Sequence, residues 1–314
     1  MHPLVSICVP VYNVAPYIDR CVHSLMQQTY DNIEYIFVDD SSTDNSIELL
    51  QAVVANYPER AAQVRLLSND RNHGLAYTRR VSIEAAKGEY VLCVDSDDYV
   101  EQDIVQTLVE KALETGADLV STGFYIESSD TRIETPHPCD KTSDYLQLAL
   151  ADILPYLWNK LIRRSLLIHF APEGMNYLED RIVLLYLFHN VGKIAVVNRP
   201  LYHYIQRDES ISCTKNERHF QCLIQYWQLT DTFLSEHNLT DRYRILTNQQ
   251  KISDKTHLMH FCNDMSICRK YAAIFSEAEV QKPQIRLTRG KRLTRFFVEH
   301  RLWFLLQVYK FLRS

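Results

Sequence analysis

Short apolar runs alternate with longer segments of helical spacing along the first half of the chain. Residues 4–10 (LVSICVP) are β-branched and mostly apolar, and a helical pattern follows from about 15 to 28. Residues 33–38 (IEYIFV) predict the next strand, after which a helix opens near Asp44, where Ser42 and Asp44 offer an N-cap. Residues 64–67 and 90–94 repeat the alternation, with helices predicted near 74–87 and 101–115 and a fifth strand over 118–125. The prediction is an α/β fold with a largely parallel sheet covered on both faces. Right-handed crossovers then gather the strand C-termini on one edge, where open α/β sheets bind ligands. From about Cys213 the pattern turns helical, over 216–236 and 241–276, until Pro283 interrupts it and a basic tail runs to Ser314. Two regions are therefore expected, 1–212 and 213–314.

The polar residues gather where that edge should lie. Pro10, Tyr12 and Asn13 follow the first strand, Asp39 and Asp40 the second, Asn69 to Gly74 the third, and Asp95, Asp97 and Asp98 the fourth. Three carboxylates within four positions repel, each making the next harder to ionise. Solvation, a helix cap or an arriving cation would make the crowding tolerable. The bulk composition narrows the field. With 314 residues, 46% hydrophobic, and a net charge of -5, the chain is of ordinary globular type and offers nucleic acid no general attraction. No run of about 18 apolar residues occurs, and MHPLV leads directly into a strand without a signal-peptide pattern. The eight cysteines form no CxxC pair and are expected to be reduced core residues of a cytosolic protein. Neither GxGxxG nor GxxxxGK[ST] is present, which argues against a dinucleotide-binding domain or a P-loop.

The stretch VSICVPVYNVAPYIDRCVHSLMQQTYDNIEYIFVDDSSTDNS, followed by NHGLAYTRR, VDSDD, WNKLIRRSLL, LEDRIVLLYLF and YHYIQRDESIS, resembles the family 2 glycosyltransferases across the first 212 residues. That resemblance implies the GT-A fold, Rossmann-like and mostly parallel, with a donor half over about 1–100, an acceptor half over about 101–212 and a helical C-terminal extension. It also implies inverting transfer of a sugar from a nucleotide diphosphate donor, with UDP-sugar preferred, assisted by Mn²⁺ or Mg²⁺. Asp97 is then the metal ligand, with Asp95 nearer the ribose and metal shell. Such hard cations take one or two protein carboxylates and leave room for phosphates. Asp98 is either a metal contact or an N-cap. Asp40, with Asp39 as the alternative, would accept the uracil N–H beside Pro10, Tyr12 and Asn13, unless either simply forms the turn. Asn72 and Arg79 would touch base or diphosphate, although Arg79 also reads as an exposed helix arginine.

Asp180 corresponds to the general base that takes the acceptor proton, with Glu179 holding the acceptor or orienting a neighbour. Trp158 and Lys160 lie in a segment near the acceptor, where Trp158 either stacks on a sugar or packs in the core. His203, Arg207 and Ser210 fall where the family has a loop over the donor. Two positions depart from the family pattern: Ser41 stands for a glycine and Thr78 for an alanine.

The tail from 283 to 314 carries eight Lys or Arg and one acid, Glu299. Read as one helix from Arg295, it turns Phe297, Val298, Leu302, Phe304, Leu305, Val308, Tyr309, Phe311 and Leu312 to one side, and Arg295, Glu299, Gln307, Lys310 and Arg313 to the other. This predicts a helix lying on an anionic membrane surface, or else one packed on protein. The expected setting is the cytoplasmic face of the cell membrane, with a saccharide or polyprenyl-linked acceptor in surface-polysaccharide synthesis. Rival readings are a nucleotidyltransferase of similar fold, which would want a glycine-rich loop that PVYNVAPY lacks, and a non-catalytic nucleotide-sugar-binding subunit.

Overall fold

The computed structural model describes residues 2–128, 131–135, 144–151, 153, 156–206, 215–280 and 287–312. Nine strands are formed among them: β1 (Val5–Val11), β2 (Ile33–Asp39), β3 (Val64–Ser68), β4 (Tyr90–Cys93), β5 (Tyr99–Val100), β6 (Leu119–Glu127), β7 (Arg132–Thr135), β8 (Lys160–Arg163) and β9 (Ile194–Ile205). They build one sheet in the order β3-β2-β1-β4-β8-β6-β9-β5, with β7 paired to β6. The first four run parallel, and all seven residues of β1 are buried, as a central strand covered on both faces requires. Between them lie α1 (Ala15–Met26), α2 (Ser46–Ala55), the short α3 (Pro58–Ala61), α4 (Leu75–Ala85) and α5 (Ile104–Thr115), which ends on left-handed Gly116.

The other half of the sheet departs from the expected pattern. β8 pairs antiparallel with both β4 and β6, so the predicted fifth strand is separated from the fourth by one that had no separate sequence signal. β9 runs parallel to β6 for its full length despite Pro200, because the register shifts at Gly123, where the ladder forgoes a regular N–H donor. Polar Asn198 and Arg199 further hid β9 from any apolar pattern.

The chain divides into two compact units, 1–145 with 154–207, and 146–153 with 208–314. The first holds the sheet and α7 (Glu179–Asn190); α6 (Tyr145–Leu150) falls at the crossing. In the second, α8 (Glu217–Glu236) starts from a capping box of Asn216 and His219 and packs along α9 (Thr240–Phe261). The continuous helix predicted to 276 is broken: Asp264 accepts the N–H groups of Ser266 and Ile267 and starts α10 (Met265–Lys270), and α11 (Ser276–Val280) follows. The tail is likewise two helices, α12 (Arg289–Glu299) and α13 (Trp303–Phe311), parted at Arg301, whose φ is +54°. Its polarity also differs from the expected one. Leu306 and Lys310 form the inward side of α13, while Phe304, Leu305, Val308, Phe311 and Leu312 are exposed.

Candidate active site

β1, β2 and β4 end on one rim, and each turn that follows is held by its own polar side chains. Asn13 accepts the N–H of Thr43 through Oδ1 at 2.8 Å and donates its own N–H to Ser42. Asp39 accepts the Ser42 N–H at 2.9 Å. Ser41 stands in the left-handed region at φ +58°, a conformation glycine adopts freely and serine does not, which accounts for a glycine at this point of the family pattern. Tyr12 is exposed beside the turn, while Pro10 is buried inside β1; Asn72 is exposed on the loop after β3.

Asp40 is buried and committed. Its carboxylate accepts from Asn69 Nδ2 (2.7 Å), the His73 N–H (2.9 Å) and the Gly74 N–H (2.7 Å). Three donors already account for most of what a carboxylate accepts, so Asp40 organises the loop ahead of α4, and Asp39 is the more accessible of the pair. Gly74 is required here: its φ is +89°, and a Cβ would lie 2.3 Å from Asn176 Oδ1. His73 completes the loop, with its ring nitrogens 2.7 Å from Asp70 and 2.6 Å from Glu173 and its ring stacked on Tyr77. Those two carboxylates raise its pKa.

The acids after β4 have distinct stations. Asp98 is buried, accepts from the Tyr202 hydroxyl (2.8 Å) and the Ile205 N–H (2.7 Å), and so fastens the turn to β9. It does not cap α5, whose N-terminal neighbour is Asp103. Burial, then Asp97 and Asp95, push the Asp98 carboxyl well above its usual range. Asp95 and Asp97 are only partly covered.

Arg79 joins this turn to the start of α7. It is 4% exposed, so it is no surface arginine. Its Nη2 donates to Asp95 at 2.9 Å, and its Nη1 donates to Glu179 at 3.2 Å and to Asp180. Asp180 also accepts the Leu157 N–H at 3.1 Å. Both acids occupy the first turn of α7, where the helix dipole favours negative charge. Even so, burial raises the Asp180 pKa against the opposing pull of Arg79. Burial followed by the Asp180 charge raises Glu179 to about 7. Three carboxylates thus face one guanidinium, and the surplus is negative. Among the described residues no three His, Cys, Asp or Glu side chains make a ready metal cage.

Two predicted acceptor contacts turn inward. Trp158 is 3% exposed within a cluster of Phe124, Tyr156, Tyr202 and Tyr204, which is its core-packing alternative. Exposed Tyr156, stacked on it at 4.7 Å, is the ring at that surface, and sequence reasoning missed it. Lys160 is fully buried and donates to Asn159 Oδ1 and the Tyr156 carbonyl; burial lowers its pKa to about 7 against the attraction of Asp180. His203 is buried in β9 between Glu101 and Glu127, both at 2.9 Å, and between the rings of Tyr99 and Tyr125. It therefore secures the β5–β9 pairing. Arg207 and Ser210 lie outside the described residues.

A mixed, mostly parallel sheet flanked by helices, with its acids gathered at strand ends, is the GT-A arrangement. Residues 6–171 match the family model "Glycosyl transferase family 2", and the chain belongs to that family. The uncharacterized glycosyltransferase EpsJ of Bacillus subtilis is 34% identical over 224 residues, 68% of this chain and 64% of that protein, so the match spans just under two thirds of the relative. Among solved structures, S. aureus TarS 1–349 with UDP-GlcNAc superimposes with a TM-score of 0.61 at 19% identity, over 95% of this chain and 92% of that one. The mannosyltransferase PcManGT of Pyrobaculum calidifontis, with GDP-Man and Mn²⁺, gives 0.53 at 16% identity, over 99% and 86%.

Proposed function

We propose that this chain is an inverting glycosyltransferase that moves a sugar from a UDP-sugar to a saccharide or polyprenyl-linked acceptor in surface-polysaccharide synthesis. The observation that carries the reading is the convergence of Asp95, Glu179 and Asp180 on buried Arg79. It ties the turn suited to a donor diphosphate to the helix start suited to an acceptor. Asp39 is the base-recognising carboxylate, with Tyr12 and Asn13 beside it. Asp180 accepts the proton of the attacking hydroxyl, and Arg79 holds its carboxylate in one orientation while favouring its ionised form. Glu179, whose raised pKa lets it carry a proton near neutrality, holds an acceptor hydroxyl. Tyr156 offers the acceptor an aromatic face.

The donor set fits Mn²⁺ or Mg²⁺. Asp95 and Asp97 supply hard oxygen ligands at a partly open position with surplus negative charge, and such cations take their remaining ligands from water and phosphate. Bound there, the ion would stabilise charge on the departing diphosphate. Nucleoside diphosphate release from a panel of nucleotide sugars, with and without Mn²⁺, tests the reading. Release from a UDP-sugar that depends on Asp180 supports it, and pyrophosphate as the product removes it.

We further propose that the exposed apolar side of α13 rests in the headgroup region of an anionic membrane, with Arg289 and Arg292, exposed on α12, and Arg301, exposed at the turn, supplying positive charge. No helix among the described residues is long and apolar enough to cross a membrane. Flotation with phosphatidylglycerol vesicles should be lost in a Phe304→Glu, Phe311→Glu double variant; undiminished flotation would reject the contact.

A further inference from the structure

Lys310 presents a problem of charge. It is 8% exposed, and its ammonium donates to the carbonyl oxygens of Met259, at 2.8 Å, and Cys262. No carboxylate reaches it among the described residues; its remaining neighbour is Cys268 Sγ at 3.4 Å. Buried ammonium groups are retained where a counter-charge accompanies them, and among the described residues the ionisable atom in contact with this one is that sulfur. Cys262 stands just past the end of α9 with its thiol 3.6 Å from the Asp264 carbonyl oxygen, and the Cys268 sulfur lies 3.7 Å from the carbonyl oxygen of Cys262. Both sulfurs are free thiols and both residues are fully buried.

We propose that Cys268 is a redox-active thiolate held by Lys310, with Cys262 as its resolving thiol, so that oxidation by a peroxide releases the anchor of α13. Three observations lead to this assignment. Cys262 lies in the short break that ends α9, and Cys268 lies in the six-residue α10 just beyond it, so only a short helix has to give for a disulfide to close. The lysine that meets them is the innermost polar group of α13. Finally, burial pushes the thiols of Cys8, Cys21 and Cys93 up, as an apolar core should. Cys268 goes the other way, to about 7, because the hydrogen bond from Cys262 and the Lys310 charge outweigh its burial.

The chemistry balances with one peroxide. The Cys268 thiolate attacks a peroxide oxygen, the O–O bond breaks, and hydroxide leaves to become water, which makes a sulfenic acid. The Cys262 sulfur then attacks the Cys268 sulfur; the S–O bond breaks, and the hydroxide lost takes the Cys262 proton as a second water. Two thiols and one peroxide give a disulfide and two waters, and a small thiol reductant reverses the change by exchange. The disulfide bears no charge. Lys310 is left facing only carbonyls, and α13 loses the partner that held its inner side. Entry of a small oxidant needs only local opening of α13, a short helix that buries little of its apolar surface and so opens at low cost.

The test uses the full-length protein, native, at pH 7, with hydrogen peroxide as the probe, followed by denaturation, thiol blocking and trypsin. Cleavage after Lys255 and Arg269 leaves both cysteines in the peptide 256–269. The expected result is loss of two hydrogens from that peptide while Cys8, Cys21 and Cys93 are still blocked. Lys310→Met should slow the oxidation about threefold or more, as the thiolate loses the cation in contact with it, whereas Lys310→Arg keeps the charge and reacts at close to the native rate. Cys262→Ser should stop at a dimedone-reactive sulfenic acid. Amide exchange over 303–311 should rise after oxidation. A peptide that oxidises no sooner than Cys8, or a Lys310→Met protein as fast as the native one, would overturn the thiolate assignment. Unchanged exchange over 303–311 would overturn release of α13.

Discussion

The two units each bury a cation in a different electrostatic setting. At the rim, Arg79 meets three carboxylates and stays in charge deficit, which burial alone would not tolerate. In the helical unit, Lys255 finds Glu279 at 2.7 Å, and Lys251 finds Asp231 at 2.7 Å with Glu277 farther off at 3.9 Å. Among the described residues Lys310 meets no acid. Matched pairs hold structure together, and the mismatched centres are the ones proposed above to carry chemistry.

The comparison can be broken most sharply at the rim. Asp180→Asn should lower transfer by about 10²–10⁴-fold, the usual scale for a lost general base, while donor binding survives; steady-state nucleoside diphosphate release measures it. Arg79→Met should leave uncompensated buried acids and cost about 3–5 kcal/mol in denaturant unfolding. Arg79→Lys should recover only part, since a point charge cannot serve both Asp95 and the α7 acids as a planar fork does. Gly74→Ala should destabilise by about 1–3 kcal/mol through its left-handed backbone and the clash with Asn176.

Glu179 sharpens the comparison by pH. Its native pKa, near 7, lies above the ordinary 4.5, so the folded state keeps the proton longer than the unfolded chain. This contribution to stability is therefore present below about 4.5 and lost as pH rises to about 7. Glu179→Gln should flatten that limb, read as melting temperatures between pH 4.5 and 8 in metal-free buffer. The smallest effect is expected for Ser41→Gly, within about 1 kcal/mol, because relief of the left-handed strain is offset by the entropy of a freer unfolded chain.

Much of the β1–β4 half was legible because it is local. β1 to β4 are mostly apolar and lead directly into polar turns, with acids after β2, β3 and β4, so strand and turn lie within a dozen residues of one another. The rest of the rim is built from distant pieces. Arg79 lies 100 residues from Glu179, and no nearby pattern separates a buried tripartite arginine from a solvated one. Lys160 and Trp158 occur in a polar-looking segment and became core only because β8 inserts between β4 and β6. Asp40 and Asp39 are adjacent and chemically alike; the loop of Asn69, His73 and Gly74 folding onto Asp40 tells them apart.

Tyr202 connects more than its place in the aromatic cluster suggests. Its oxygen takes the Asp95 N–H at 3.1 Å, and its proton goes to Asp98. Any sliding of β9 is thereby geared directly to the acidic turn, with one phenol as the linkage pin. Transmission of that kind lets a distant tug on a strand retune the spacing of charges by fractions of an ångström, without a hinge and without a moving loop.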